Sequence, residues 1–145
     1  MSASATTAST KASKKASPAQ LNAFLDACAD GRSKEVRLAC DSGIPLDQQD
    51  SSGFTALIVS SGCGHLDIVR LLCERGAALD IQRTDDGVTA LVAAVGNSHL
   101  DIVRLLCERG CDTLLEYKRN NAYALAKFVH GSSAPITLFL EKYPH

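Results

Sequence analysis

Leu21, Phe24, Leu25 and Cys28 recur at intervals of three and four residues, the spacing that lines one face of an α-helix. Ser17 stands ahead of them, with Pro18 where a first helical residue needs no N–H and Gln20 three residues after the serine. That combination predicts a capped helix start. Ile68, Val69, Leu71 and Leu72 define a second apolar stripe, predicting a helix from about Leu66 to Arg75. Asp67 falls in its first turn, Arg75 in its last, and Gly76 at the position just beyond, as the helix dipole and a left-handed C-terminal turn favour. Thr55 is placed to cap a shorter helix that ends near Gly62–Gly64, and Thr89 one that ends near Gly96–Ser98. Arg70 with Glu74, and Arg104 with Glu108, have the i,i+4 spacing of helical ion pairs.

The pattern is duplicated. The twelve residues His65–Gly76 recur unchanged as His99–Gly110, and Gly53-Phe-Thr-Ala-Leu57 recurs as Gly87-Val-Thr-Ala-Leu91, both at an offset of 34. Aligning 50–83 with 84–117 gives 17 identities in 34 positions. Weaker copies flank these two. Upstream, Gly31, Val36, Leu38, Cys40 and Gly43 keep the frame; downstream, Asn121, Leu125, Ile136, Phe139 and Leu140 keep its apolar positions, while the glycine and histidine markers are lost. The chain therefore divides into about four helix-turn-helix units, 18–49, 50–83, 84–117 and 118–145, behind a tail of residues 1–17. A unit with a single apolar face must bury it against its neighbours, so the expected architecture is an all-α solenoid. Between Gly76 and Gly87 there is room only for a turn or a short β-hairpin. The first unit, which starts directly at its capped helix, and the last, which with the adjoining Tyr117 holds five of the seven aromatic residues, suit the ends of a complete short array.

Asp50-x-x-Gly53-x-Thr55-x-Leu57, followed by Gly64-His65-x-x-x-Val69-x-x-Leu72-x-x-x-Gly76-Ala77 and its counterpart from Gly87 to Gly110, resembles the ankyrin repeat family over roughly residues 18–145. The family's Thr-Pro-Leu-His reads Thr55-Ala-Leu-Ile58 and Thr89-Ala-Leu-Val92 here, Ser98 replaces the glycine before the second histidine, and the link from Gly76 to Gly87 is one residue longer than that from Gly43 to Gly53. The resemblance implies that His65 and His99 hydrogen-bond the backbone of neighbouring turns. It also implies a concave surface, made by hairpin tips and first helices, that binds another protein. The family's variable positions correspond to Ser51, Ser52, Phe54, Gly62 and Cys63 in the second unit, to Asp85, Asp86, Val88, Gly96 and Asn97 in the third, and to Gln82 and Arg83 between them. Phe54, an aromatic on a solvent-facing hairpin position, is the expected anchor, with Val88 extending its apolar patch.

Composition narrows the alternatives. The chain has 145 residues, 46% of them apolar and 21% charged, which suits one folded domain. Its longest apolar stretches fall far short of the roughly 18 residues a membrane span needs. Lys11, Lys14 and Lys15 leave 12 basic against 16 acidic residues in the remainder, about −4, and no Lys/Arg cluster offers a phosphate-binding face. Neither nucleic acid nor membrane is an expected partner, and the unbound protein is expected to be monomeric. Residues 1–17 hold five Ser, five Ala, three Thr and three Lys, a composition that predicts disorder. The absence of a hydrophobic leader, together with six cysteines lacking any CxxC pair, points to reduced thiols in the cytoplasm or nucleus; organelle targeting by the acid-free tail is the alternative.

No catalytic constellation is evident: phosphate loop, GxSxG and HExxH are all absent. Cys40, Cys73 and Cys107 share one register position, and helices stacked about 8–10 Å apart hold such residues beyond disulfide reach. Cys28 and Cys111 read as packing residues. Cys63-x-His65 is a weak metal or thiolate signal with no further ligands at suitable spacing. The expectation is a non-enzymatic interaction module (a scaffold, adaptor or inhibitory subunit) without cofactor or metal. The alternative is a sensor whose partner binding is switched by phosphorylation at Ser17 or oxidation of Cys63.

Overall fold

A computed structural model of the chain describes residues 15–143; the tail up to residue 14 lies outside them. Eight helices follow in pairs among the described residues: α1 (Pro18–Asp30) with α2 (Ser33–Asp41), α3 (Ala56–Cys63) with α4 (Leu66–Glu74), α5 (Ala90–Gly96) with α6 (Leu100–Glu108), and α7 (Ala122–His130) with α8 (Pro135–Leu140). The start of α1 is a full capping box: Gln20 N–H donates to Ser17 Oγ at 3.2 Å and Ser17 N–H to Gln20 Oε1 at 2.9 Å. Thr55, Thr89 and Asn121 cap α3, α5 and α7 in the same way, accepting from the backbone three residues on. Residue 16, assigned to the tail on composition, belongs to the fold, because Ala16 exchanges two hydrogen bonds with the Gln48 side chain.

Two layers result. First helices α1, α3, α5 and α7 pack closely on one another, while second helices α2, α4, α6 and α8 form a looser outer row. Side-chain size accounts for the difference: the inner row meets through small buried residues such as Ala56, Ser60, Ala90, Ala94, Ala122 and Ala126, whereas α4 and α6 fill the space between the rows with Ile68, Leu72, Ile102 and Leu106. Closer spacing on the inner row makes that side concave. Ser61 is fully buried in it, and its hydroxyl has no hydrogen-bond partner among the described residues.

The links between units are not extended hairpins. In the first, Asp50 N–H reaches Phe54 O at 3.0 Å and Asp50 Oδ1 accepts from Ser52 and Phe54 N–H. In the next, one residue longer, Arg83 N–H reaches Val88 O at 2.9 Å. Only the third contains a β-bridge, between Tyr117 and Asn120, with Lys118 and Arg119 both at positive φ as a two-residue I′ turn requires.

Side chains bind each unit to the next at sequence separations near the repeat length. Gln49 Nε2 donates to Gly53 O and to Gln82 O, and Gln82 Nε2 donates to Gly87 O and Glu116 O. Arg75 reaches Asp41 at 2.7 Å, and the Ser33 hydroxyl donates to Asp67. Neither helical ion pair expected along α4 and α6 forms among the described residues; Arg104 lies instead over the Phe139 ring, 5.2 Å from its centroid.

The histidines form a third series. His65 Nε2 donates to Ala29 O at 2.9 Å and His99 Nε2 to Gly62 O at 3.2 Å. Each ring lies over the left-handed glycine that ends the preceding unit's first helix, Gly31 and Gly64, where a Cβ would come within 2.7 and 2.5 Å of the ring. The last unit has Ser133 where the register of His65 and His99 would place a histidine, as the sequence reading has it, yet the contact is kept. His130 performs the role from the end of α7, donating to Val95 O at 2.6 Å. Its acceptor lies three residues before Ser98, rather than two residues before a glycine. Ser98 occupies the left-handed position at φ +66.

Candidate functional site

On the concave side a groove of about 540 Å³ runs across the second, third and fourth units. Seven of the twelve residues singled out from sequence line it: Phe54, Gly62 and Cys63 from the second unit, Arg83 from the link, and Val88, Gly96 and Asn97 from the third. Ser51, Ser52 and Asp85 stand outside it, exposed in the turns, with Asp86 half-buried beside them. Asp86 Oδ1 accepts from Val88 N–H at 3.2 Å, taking the part that Asp50 plays one unit earlier. Gln82 is also outside the groove, and its amide group is committed to the link between units.

Phe54 differs from the freely projecting aromatic expected. It is half-buried, and the Arg83 guanidinium lies over its ring, 4.2 Å from the centroid, a cation–π arrangement. Arg83 Nε also sits 3.4 Å from Asp86 Oδ1, near enough for an ion pair but without hydrogen-bond geometry. The stacked pair makes one wall of the groove. Asn97 steadies the other by donating from Nδ2 to Ala93 O at 2.9 Å. Gly62 and Gly96 keep the floor open, since any side chain there would occupy the groove itself.

Six lining residues were not singled out from sequence: Ile58, Val59, Val92, Ala93, Tyr117 and Leu125. A signal for the first of them exists. Ala56-Leu-Ile-Val59 places apolar side chains around more of one helical turn than neighbours on one side can cover, so at least one faces outward. Tyr117 closes the third unit, and Leu125 belongs to the fourth, whose register the duplication does not fix. The Cys63 thiol is exposed at the groove. Among the described residues no three His, Cys, Asp or Glu side chains converge as a metal site requires, and no helix is long and apolar enough to cross a membrane. A second cavity, of about 570 Å³, opens on the first unit and is lined largely by Ala23, Ala27, Ala39, Phe24 and Ile44; it draws on one unit only and holds none of the singled-out residues.

The comparison that decides the family is a match to the model described as ankyrin repeats (3 copies), which covers residues 8–85 and, in an overlapping alignment, 24–117. The chain belongs to the ankyrin repeat family. It is also similar to an ankyrin repeat-containing protein of Schizosaccharomyces pombe, 37% identical over 59 residues. That stretch is 41% of this chain and 28% of the fission-yeast protein, so the match spans less than a third of that relative's length. Ankyrin repeats are in general protein–protein interaction modules and typically carry no enzymatic activity. The histidine series and the concave inner row are how this ankyrin repeat chain presents one continuous groove from separate units.

Proposed function

We propose that this ankyrin repeat protein is a non-enzymatic binding module that takes an apolar side chain or short apolar segment of a partner protein into the groove. The observation that supports this reading most directly is the lining itself: half-buried Phe54, Val59, Val88 and Leu125, drawn from three units, leave an apolar concavity open on an otherwise packed inner row. Apolar surface held open in this way gains free energy on association, at roughly 25 cal/mol per Å² removed from water, and interface anchors cluster in such concavities. Arg83 and the turn residues Asp85, Ser51 and Ser52 supply a polar rim that favours one orientation of the partner.

The test is capture of a protein from native lysate by the wild-type chain and by a variant carrying Val59→Arg and Val88→Arg, with thermal melts of both. A species retained by the wild type and lost from the variant, at equal melting temperature, supports the groove. Retention by both would move binding to the turns or the outer row. One observation favours a second reading, of redox control: Cys63 lies exposed in this groove, so oxidation there would alter the binding face, and loss of capture on peroxide treatment that Cys63→Ser abolishes would establish it. Ser17 caps α1, which contributes nothing to the groove, and nothing comparable favours a switch there.

A further inference from the structure

The groove is the middle of a longer stripe, because the first helices repeat its positions in fixed register. Thr55, Thr89 and Asn121 each cap their helix by accepting from the backbone three residues on. Counted from those caps, the fourth, seventh and eighth residues are Val59, Gly62 and Cys63 in α3 and Ala93, Gly96 and Asn97 in α5, all of which line the groove. In α7 the same positions hold Leu125, Phe128 and Val129. Leu125 lines the groove as the count requires, and the buried positions agree, Ala122 and Ala126 matching Ala90 and Ala94. Phe128 is 88% exposed and Val129 47%, and Phe128 enters no ring contact among the described residues. A phenylalanine thus stands exposed where the two preceding units have glycine.

The opposite end of the stripe is acidic. His65 donates to Ala29 O and His99 to Gly62 O, which aligns Ala29 with Gly62. Val59 and Cys63 then correspond to Asp26 and Asp30 of α1, both exposed. Asp30 lies 3.3 Å from Arg32, whereas the Asp26 carboxylate has no hydrogen bond or ion pair among the described residues. α1 contains no basic residue, and the C-terminal end of its dipole adds partial negative charge beside Asp30.

Resting on the groove as the binding face, we propose that its occupant is an extended segment of a partner protein with a large apolar residue at one end and Lys or Arg at the other. The apolar end lies on Phe128 and Val129 of α7, and the basic end at Asp26 of α1. Phe128 is of the residue type that anchors interfaces, and the unpaired carboxylate supplies charge complementarity at the far end. First helices about 8–10 Å apart put α1 and α7 about 24–30 Å apart, the length of about seven to nine extended residues. Direction is fixed as well: Lys127, exposed and next to Phe128 in the chain, would set like charges together if the segment were reversed.

The probe is a displayed library of random twelve-residue peptides, selected on the full chain. Enriched peptides are synthesised and titrated by fluorescence anisotropy against the wild type and variants of matching melting temperature. They should carry Phe, Leu or Ile with Lys or Arg about six to eight residues away. Phe128→Ser should weaken them at least about tenfold, with Val129→Ser repeating the test if the first variant melts early. Asp26→Lys should abolish the salt dependence of their binding, and selection on that variant should return an acidic residue in place of the basic one. Val59→Arg with Val88→Arg separates the two levels of the account. Loss in that variant, with Phe128→Ser or Asp26→Lys without effect, would overturn the proposal and leave the groove as the binding face. Peptides that bind the double variant as they bind the wild type, or no enrichment at all, would overturn both.

Discussion

Replacing Gly64 by alanine exposes two costs that the fold imposes at one position. Gly64 ends α3 at φ +82, and a Cβ there would lie 2.5 Å from His99 Cε1 and 2.9 Å from both ring nitrogens. The left-handed conformation alone costs an L-residue roughly 1–2 kcal/mol. The ring must also withdraw, and its hydrogen bond to Gly62 O goes with it, a net loss of about 0.5–1.5 kcal/mol. Gly64→Ala should therefore destabilise the protein by about 2–3 kcal/mol. Gly76 is the internal control. It ends α4 at φ +86 with nothing within 4 Å of a Cβ, so Gly76→Ala should lose only the conformational part, roughly 1–2 kcal/mol. Urea unfolding followed by circular dichroism measures both, and repeating them in a His99→Ala background closes a double-mutant cycle. The excess at Gly64 should disappear in that background. Equal losses at the two glycines, or a Gly64→Ala loss that removal of His99 leaves unchanged, would refute the reasoning.

Other consequences are independent of this one. Ser61→Ala removes a buried hydroxyl without a partner and should raise stability by about 1 kcal/mol in the same urea assay. Ser98→Gly relieves the left-handed serine at φ +66 and should add about 0.5–1 kcal/mol, the strain relieved exceeding the entropy of the glycine. Asp67 is held below the usual carboxylate range mainly by the Ser33 hydroxyl. A lowered folded-state pKa contributes stability that is present at neutral pH and fades as pH falls through the carboxylate range; Ser33→Ala should shift the Asp67 carbon-13 titration upward and flatten that part of the profile.

The fold was largely legible because the evidence for it is local or duplicated. Capping at Ser17, Thr55 and Thr89, the stripes of α1 and α4, and the 34-residue offset all depend on neighbours in sequence or on direct repetition. What escaped lies between units. Gln82 reads as a partner-binding position until Gly87 and Glu116 supply its acceptors. His130 lies outside the register that marks His65 and His99, so only the Val95 carbonyl identifies its role. The groove was half legible: Val88, Gly62 and Asn97 follow from the repeat positions, but Val59, Tyr117 and Leu125 do not stand out in the sequence, because whether an apolar residue is covered depends on the adjoining unit.

The central claim, that a partner occupies the concave groove, is tested most directly by photo-cross-linking. A benzophenone amino acid is introduced at position 88, in the groove wall, and separately at position 70, on the exposed side of α4, which contributes nothing to the groove. Irradiation of both proteins in native lysate should yield a discrete cross-linked species from position 88 and none from position 70. The same species from position 70, or from position 70 alone, would place binding on the outer row and contradict the account.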